Sequence, residues 1–190
     1  MRLFVAVWPD EPTRTRLQAL QLELGRSKGL RFVGPARWHV TLRFLGEVPD
    51  DDIPPLADAL LAATGPAATG PAATGPTTAV ECRLGPGTGW FTGVRVLQLP
   101  AAGVDNLAAA VRRATAPIVP PPPSDPPFNG HLTLARAKGR RLSVAALGEM
   151  ANIPFEAAFP VDAIDLVSSQ PSPDGHAYTT LARAPLHPAT

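Results

Sequence analysis

His39-Val40-Thr41-Leu42 and His131-Leu132-Thr133-Leu134 are two copies of one short pattern in a chain of 190 residues. On a strand, side chains two apart share a face, so each copy sets a histidine beside a threonine on one surface. Val40, Leu42, Leu132 and Leu134 then turn toward a core. The chain has only four histidines, and the chance of finding two of them in this setting is on the order of one in ten thousand. The two copies are therefore read as one paired site carried on two strands.

The surrounding sequence supplies further elements. Leu3 to Val7 is rich in branched and aromatic residues and reads as a strand buried on both faces, ending at Trp8-Pro9. From Glu11 to Leu24, Leu17, Leu20 and Leu24 recur at helical steps, with Gly25 as the stop. Leu30 to Val33 and Trp38 to Leu45 read as strands around Gly34-Pro35, the second closed by Gly46 and bearing His39. Pro54 to Ala63 reads as a helix with proline at its start. It runs into 62–76, where AATGP is written three times, a low-complexity surface insertion with no assigned role.

Val80 to Leu84 and Gly93 to Leu99 are expected strands, and Val104 to Ala116 an expected helix. The stretch 117–127, with seven prolines, must be extended and cannot join a ladder. His131 to Ala135 follows as a strand, then the basic turn Arg136 to Arg141, a helix over Ser143 to Met150, and a hairpin of Ala163 to Ser169 with Gly175 to Ala182. Strands and helices alternate irregularly, which predicts an α+β fold rather than a doubly wound sheet.

Composition excludes several classes. Seventeen basic and sixteen acidic side chains leave a formal charge of +1, so no long electrostatic stripe for duplex binding is expected. The single Cys82 can form neither an internal disulfide nor a zinc cluster and reads as a small buried hydrophobe. The opening apolar run stops at Pro9, too short to span a membrane. No membrane partner is expected, and a cytoplasmic location and a monomeric state are. Neither histidine has a second imidazole or carboxylate two or four positions away on its face, so no metal is expected. No phosphate-binding glycine loop is present, and no other cofactor is expected.

Two imidazoles and two hydroxyls match the needs of phosphodiester hydrolysis: a base for water, an acid for the departing alkoxide, and donors for the charged oxygens. Histidine serves both proton roles because its ordinary pKa of about 6.5 permits one neutral and one charged ring. His39 and His131 are thus the candidate catalytic pair, with Thr41 and Thr133 as substrate-binding donors. Arg43 shares strand parity with His39 and Thr41, which makes it a further substrate-binding candidate or a solvated strand residue. Trp8, Trp38 and Trp90 are read as core, and His176 and His187, which lack the threonine partner, as structural. Lys138, Arg140 and Arg141 read as solvated surface.

HVTLRFLGEV after an MRLFVAV start, FNGHLTLARAKG, and the closing AIDLVSSQPSPDGHAYTTLARAPL resemble the bacterial RNA 2′,3′-cyclic phosphodiesterases of the two-histidine (2H) phosphoesterase superfamily. These are also described as 2′-5′ RNA ligases. The resemblance implies that 1–190 is one 2H domain of two intertwined, pseudo-symmetric lobes. Each lobe has an antiparallel sheet and helices and offers one strand to a central cleft, and 117–127 is a connection. It also implies hydrolysis of 2′,3′-cyclic phosphate RNA ends to 2′-phosphates, with ligation as the reverse reaction, His131 as base and His39 as acid.

Similar proteins carry an arginine at the position of Arg136, where a guanidinium suits a phosphate. Strand parity puts residue 136 on the face opposite His131, so a bulge or a strand end is needed to bring it to the pocket. Where relatives often have proline before the second histidine, this chain has Gly130, which is expected to loosen the approach to His131. The expected partner is RNA with a 2′,3′-cyclic phosphate end or a small cyclic nucleotide. The alternatives are a related esterase for a cyclic phosphate of ADP-ribose or for 2′-5′ linkages, and an RNA-end binding module without turnover.

Overall fold

The computed structural model describes residues 1–25, 29–64, 80–91, 95–124, 126–138, 142–172 and 175–186. The AATGP repeat beyond Thr64, Gly93, Arg140, Arg141, His187 and part of the turn after Ser172 lie outside the described residues. Among the described residues there are ten strands and four α-helices: β1 Arg2–Val7, α1 Glu11–Leu24, β2 Leu30–Phe32, β3 Val40–Glu47, α2 Ile53–Thr64, β4 Val80–Leu84, β5 Gly89–Trp90, β6 Val96–Ala102, α3 Asp105–Thr115, β7 His131–Ala137, α4 Val144–Met150, β8 Ala157–Val161, β9 Ala163–Ser172 and β10 Gly175–Pro185. This is the expected α+β class.

The sheet runs β10-β9-β1-β3-β7-β6-β4-β8, with β2 beside β7 and β5 beside β6. Its middle lies between β3 and β7, the two strands that carry the motifs, and four strands of this path belong to either half. β3 and β7 pair at one antiparallel position, Val40 opposite Leu132, and β2 continues along β7 beyond it. Both residues are fully buried, and each is the one directly after its histidine. The expected pseudo-symmetric lobes thus meet at the paired motif.

Local chemistry explains most of the elements. Asp10 caps α1, its side chain accepting from the Thr13 amide at 3.0 Å, and Gly25 ends the helix. Five of the six β1 residues are buried, as a strand between β3 and β9 must be. Helix α3 packs on β3, while α2 packs on α3 and β10. Leu107, Ala108, Ala110 and Val111 form the buried stripe of α3. Cys82 is fully buried, and burial pushes its thiol up to about 12, so it holds its proton as the hydrophobe it was read to be.

Several boundaries differ from expectation. His39 precedes β3 rather than lying within it, held after a short 3-10 turn at Pro35–Arg37. The strand expected from Gly93 is Val96–Ala102. β8 was not anticipated: its sequence AAFPV has little β-branching and a proline. It tolerates Pro160 because it is an edge strand, with alternate residues buried. Gly130 does not loosen the chain. It is buried, its carbonyl accepts from the Ala101 amide at 2.9 Å, and a Cβ there would lie 2.4 Å from the Ala101 oxygen. Only glycine fits so close an approach, and it fixes the backbone just before His131.

The most consequential departure is in strand parity. In β3 the pairing with β1 slips by one between Thr41 and Arg43, so Leu42 is an extra residue, a β-bulge. In β7 the pairing with β6 slips between Thr133 and Ala135, making Leu134 the extra residue. The two bulges occupy the same place in the two motifs, and each reverses which face the next residues occupy; in β3 the pairing slips again past Leu45.

Candidate active site

His39 and His131 are held alike. The carbonyl two residues earlier can only accept, so each ring donates from Nδ1–H: His39 to Arg37 O at 2.7 Å and His131 to Asn129 O at 2.9 Å. This fixes the tautomer and leaves Nε2 of each ring for chemistry. Counting outward from the Val40–Leu132 pair sets His39 beside Thr133 and Thr41 beside His131. All four side chains are half-buried, whereas Val40, Leu42, Leu132 and Leu134 are buried beneath. The structure therefore gathers the two candidate histidines and both threonines at the seam.

The two rings differ in their surroundings. His39 is walled by Phe4, Trp8 and Tyr178, with ring centroids at 4.9, 5.3 and 5.3 Å. For His131 the ring contact is with Phe91 at 4.8 Å. Burial pulls the pKa of His39 down to about 4; the Arg37 carbonyl opposes this, and the positive charges of His131 and Arg136 add to it. At neutral pH the His39 ring is uncharged.

A cavity of about 450 Å³ opens beside His39 and Thr41, with Arg136 in its wall. Arg136 reaches it because of the Leu134 bulge, the very irregularity that simple alternation lacks. The same geometry removes Arg43. Beyond the Leu42 bulge Arg43 faces inward, 8% exposed, and donates to Thr115 Oγ1 and the carbonyls of Val119 and Arg112. It does not line the cleft; it fastens β3 to α3 and to the proline-rich connection. Arg43→Met is expected to lower stability by about 2–3 kcal/mol and leave kcat/KM near wild type, measured by urea unfolding and by turnover in the absence of denaturant. Lost turnover with unchanged stability would return Arg43 to the substrate.

Some cleft residues were missed by sequence reasoning. Phe44, 53% exposed, stands where Arg43 was expected. Tyr178 and His176 reach the cavity from β10, and His176 Nδ1 lies 3.0 Å from Ser169 Oγ. His176, read as structural, is thus a wall of the cleft. Gln98 is paired with Thr133, and its side-chain oxygen is buried with no hydrogen-bond donor. Trp38 is core as expected, and Trp90 donates to the Leu147 carbonyl at 2.9 Å. Trp8 instead packs against the His39 ring. Among the described residues, no three of His, Cys, Asp or Glu gather as a metal ion would require, and no helix is long and apolar enough to cross a membrane.

Comparison with known proteins bears on this cleft. The family model for LigT-like phosphoesterases matches residues 7–69, which include the first motif. An RNA 2′,3′-cyclic phosphodiesterase of Thermus thermophilus is 32% identical over 196 residues, covering 96% of this chain and 89% of that protein. The chain belongs to the LigT-like phosphoesterase family. This LigT-like phosphoesterase also shares its fold with the Thermus thermophilus protein TT0787, at a TM-score of 0.82 and 28% identity with 100% of each chain covered. Against E. coli LigT in apo form the TM-score is 0.70 at 24% identity, covering 98% of this chain and 97% of that one. The paired motifs of this LigT-like phosphoesterase therefore sit in the fold the resemblance implied.

Proposed function

We propose that this chain hydrolyses 2′,3′-cyclic phosphate ends of RNA to 2′-phosphates by general acid–base catalysis. The observation that carries the proposal is the matched pair of imidazoles at the seam, each fixed through Nδ1 to a carbonyl and each with Nε2 left for proton transfer. The name of the Thermus thermophilus relative supports the choice of ester.

His39 is the base in this reading and His131 the acid, the reverse of the roles implied by resemblance. Burial among three aromatic rings keeps His39 uncharged, as a proton acceptor must be. Its Nε2 takes a proton from water as the oxygen attacks phosphorus. The bond from phosphorus to the ribose 3′ oxygen breaks, and His131 gives that oxygen its proton from Nε2. Thr41 and Thr133 donate to the non-bridging oxygens, and Arg136 offsets their charge. The product keeps its phosphate on the 2′ oxygen.

Incubating the protein with an oligonucleotide that ends in a 2′,3′-cyclic phosphate, with EDTA present, is expected to give the 2′-phosphate alone. Formation of the 3′-phosphate alone, or no turnover, would overturn the proposal.

A further inference from the structure

The cleft holds more positive charge than one cyclic phosphate requires. Arg2, Arg31, Arg37 and Arg136 all line the cavity beside His39, and among the described residues its lining includes no carboxylate. This concentration occurs in a protein whose formal net charge is only +1. A cyclic phosphodiester carries a single negative charge, which Arg136 offsets in the proposed mechanism.

The placement of Arg31 is unfavourable on its own terms. It pairs directly with Arg136 across the β2–β7 ladder, and like charges in directly opposed positions destabilise a sheet. An anion shared by such a pair removes the penalty. Arg37 comes to the same place by another route. At Gly175, where φ is +121°, a Cβ would lie 2.8 Å from Arg37 Nη1 and 3.9 Å from Arg31 Nη1. The two guanidinium heads therefore converge over one glycine at the start of β10, where any side chain would push them aside. Phe44, exposed in the same wall with the Arg2 guanidinium 4.8 Å from its ring centroid, offers a flat apolar surface for a base.

We infer that Arg31 and Arg37 form a second phosphate subsite, which holds the phosphodiester on the 5′ side of the cyclic-ended nucleotide. The inference rests on the hydrolase reading above and narrows it. The preferred substrate is an oligonucleotide end rather than a free nucleoside cyclic phosphate. The subsite contributes charge-assisted hydrogen bonds from two planar donors to one phosphate.

Three substrates test it: a nucleoside 2′,3′-cyclic phosphate, a dinucleotide ending in the same group, and that dinucleotide with a neutral methylphosphonate linkage. Wild-type kcat/KM is expected to be on the order of tenfold or more higher for the charged dinucleotide than for the neutral one. Arg31→Gln should shrink that ratio to about threefold or less, while Arg31→Lys, which keeps the charge, should retain most of it. Equal kcat/KM for the charged and neutral dinucleotides in the wild type would overturn the subsite, as would a ratio untouched by Arg31→Gln. Turnover of none of the three would overturn the hydrolase reading, and the subsite with it. Normal turnover of the nucleoside cyclic phosphate without the charge preference would remove the subsite alone.

Discussion

Alanine at His39 or at His131 is expected to lower kcat for cyclic phosphate hydrolysis by about a thousandfold, and alanine at both positions to lower it little further. In the proposed mechanism the two rings act on one phosphorus, one removing a proton from water and the other supplying one to the leaving oxygen. Once either transfer fails, the second ring has no concerted step to assist, and losses in such a unit do not multiply. Each ring is oriented by a backbone carbonyl rather than by a side chain, so truncating one leaves the other's geometry in place. Single variants that keep more than a tenth of wild-type kcat would contradict the shared role. So would a double variant whose loss equals the product of the single losses.

The acid limb of the kcat/KM profile is expected near pH 4 rather than near 6.5, because kcat/KM reports the essential base of the free enzyme. At pH 5 a base with a pKa of about 4 is roughly nine-tenths unprotonated, against about 3% for an ordinary histidine. The difference in activity at that pH is about thirtyfold. Burial is the main cause, so Tyr178→Ala, which opens the wall around His39, should move the limb toward neutral pH. Arg136→Gln should move it the same way by a smaller amount, since a neighbouring cation contributes less than burial. A wild-type limb near 6.5, the ordinary histidine value, would contradict His39 as the base.

The same shift bears on folding. The unfolded chain protonates this histidine at its ordinary pKa of 6.5, whereas the folded chain resists until about 4. Between those values the unfolded state binds more protons, so stability falls as pH drops through that window. The proposed base thus carries a cost in acid stability.

Much of the architecture was legible because its causes are local. The leucines of α1 and Gly25 define a helix and its stop, and the identity of the two motifs reveals a duplicated half-site. The two histidines and two threonines were readable for the same reason, since strand alternation holds from position 39 to 41 and from 131 to 133. It fails one residue later in both copies. Nothing in Leu42 or Leu134 announces an extra residue, because a bulge is set by pairing with β1 and β6, segments distant in sequence. Arg43 was therefore expected in the cleft and lies in the core, while Phe44 went unnoticed. β8 was overlooked because two alanines and a proline form a strand only where a partner edge is available. The charge of His39 was equally hidden, since its aromatic wall is assembled from β1, the Trp8 turn and β10.

The matched bulges also bear on regiochemistry. Upstream of them the two halves present the same groups, so the histidines and threonines alone would accept a cyclic phosphate in either of two orientations and release the 2′ or the 3′ oxygen with equal ease. Downstream the halves diverge, with Phe44 on one side and Arg136 on the other. In the proposed mechanism the choice of which ester bond breaks therefore falls to residues that take no part in proton transfer.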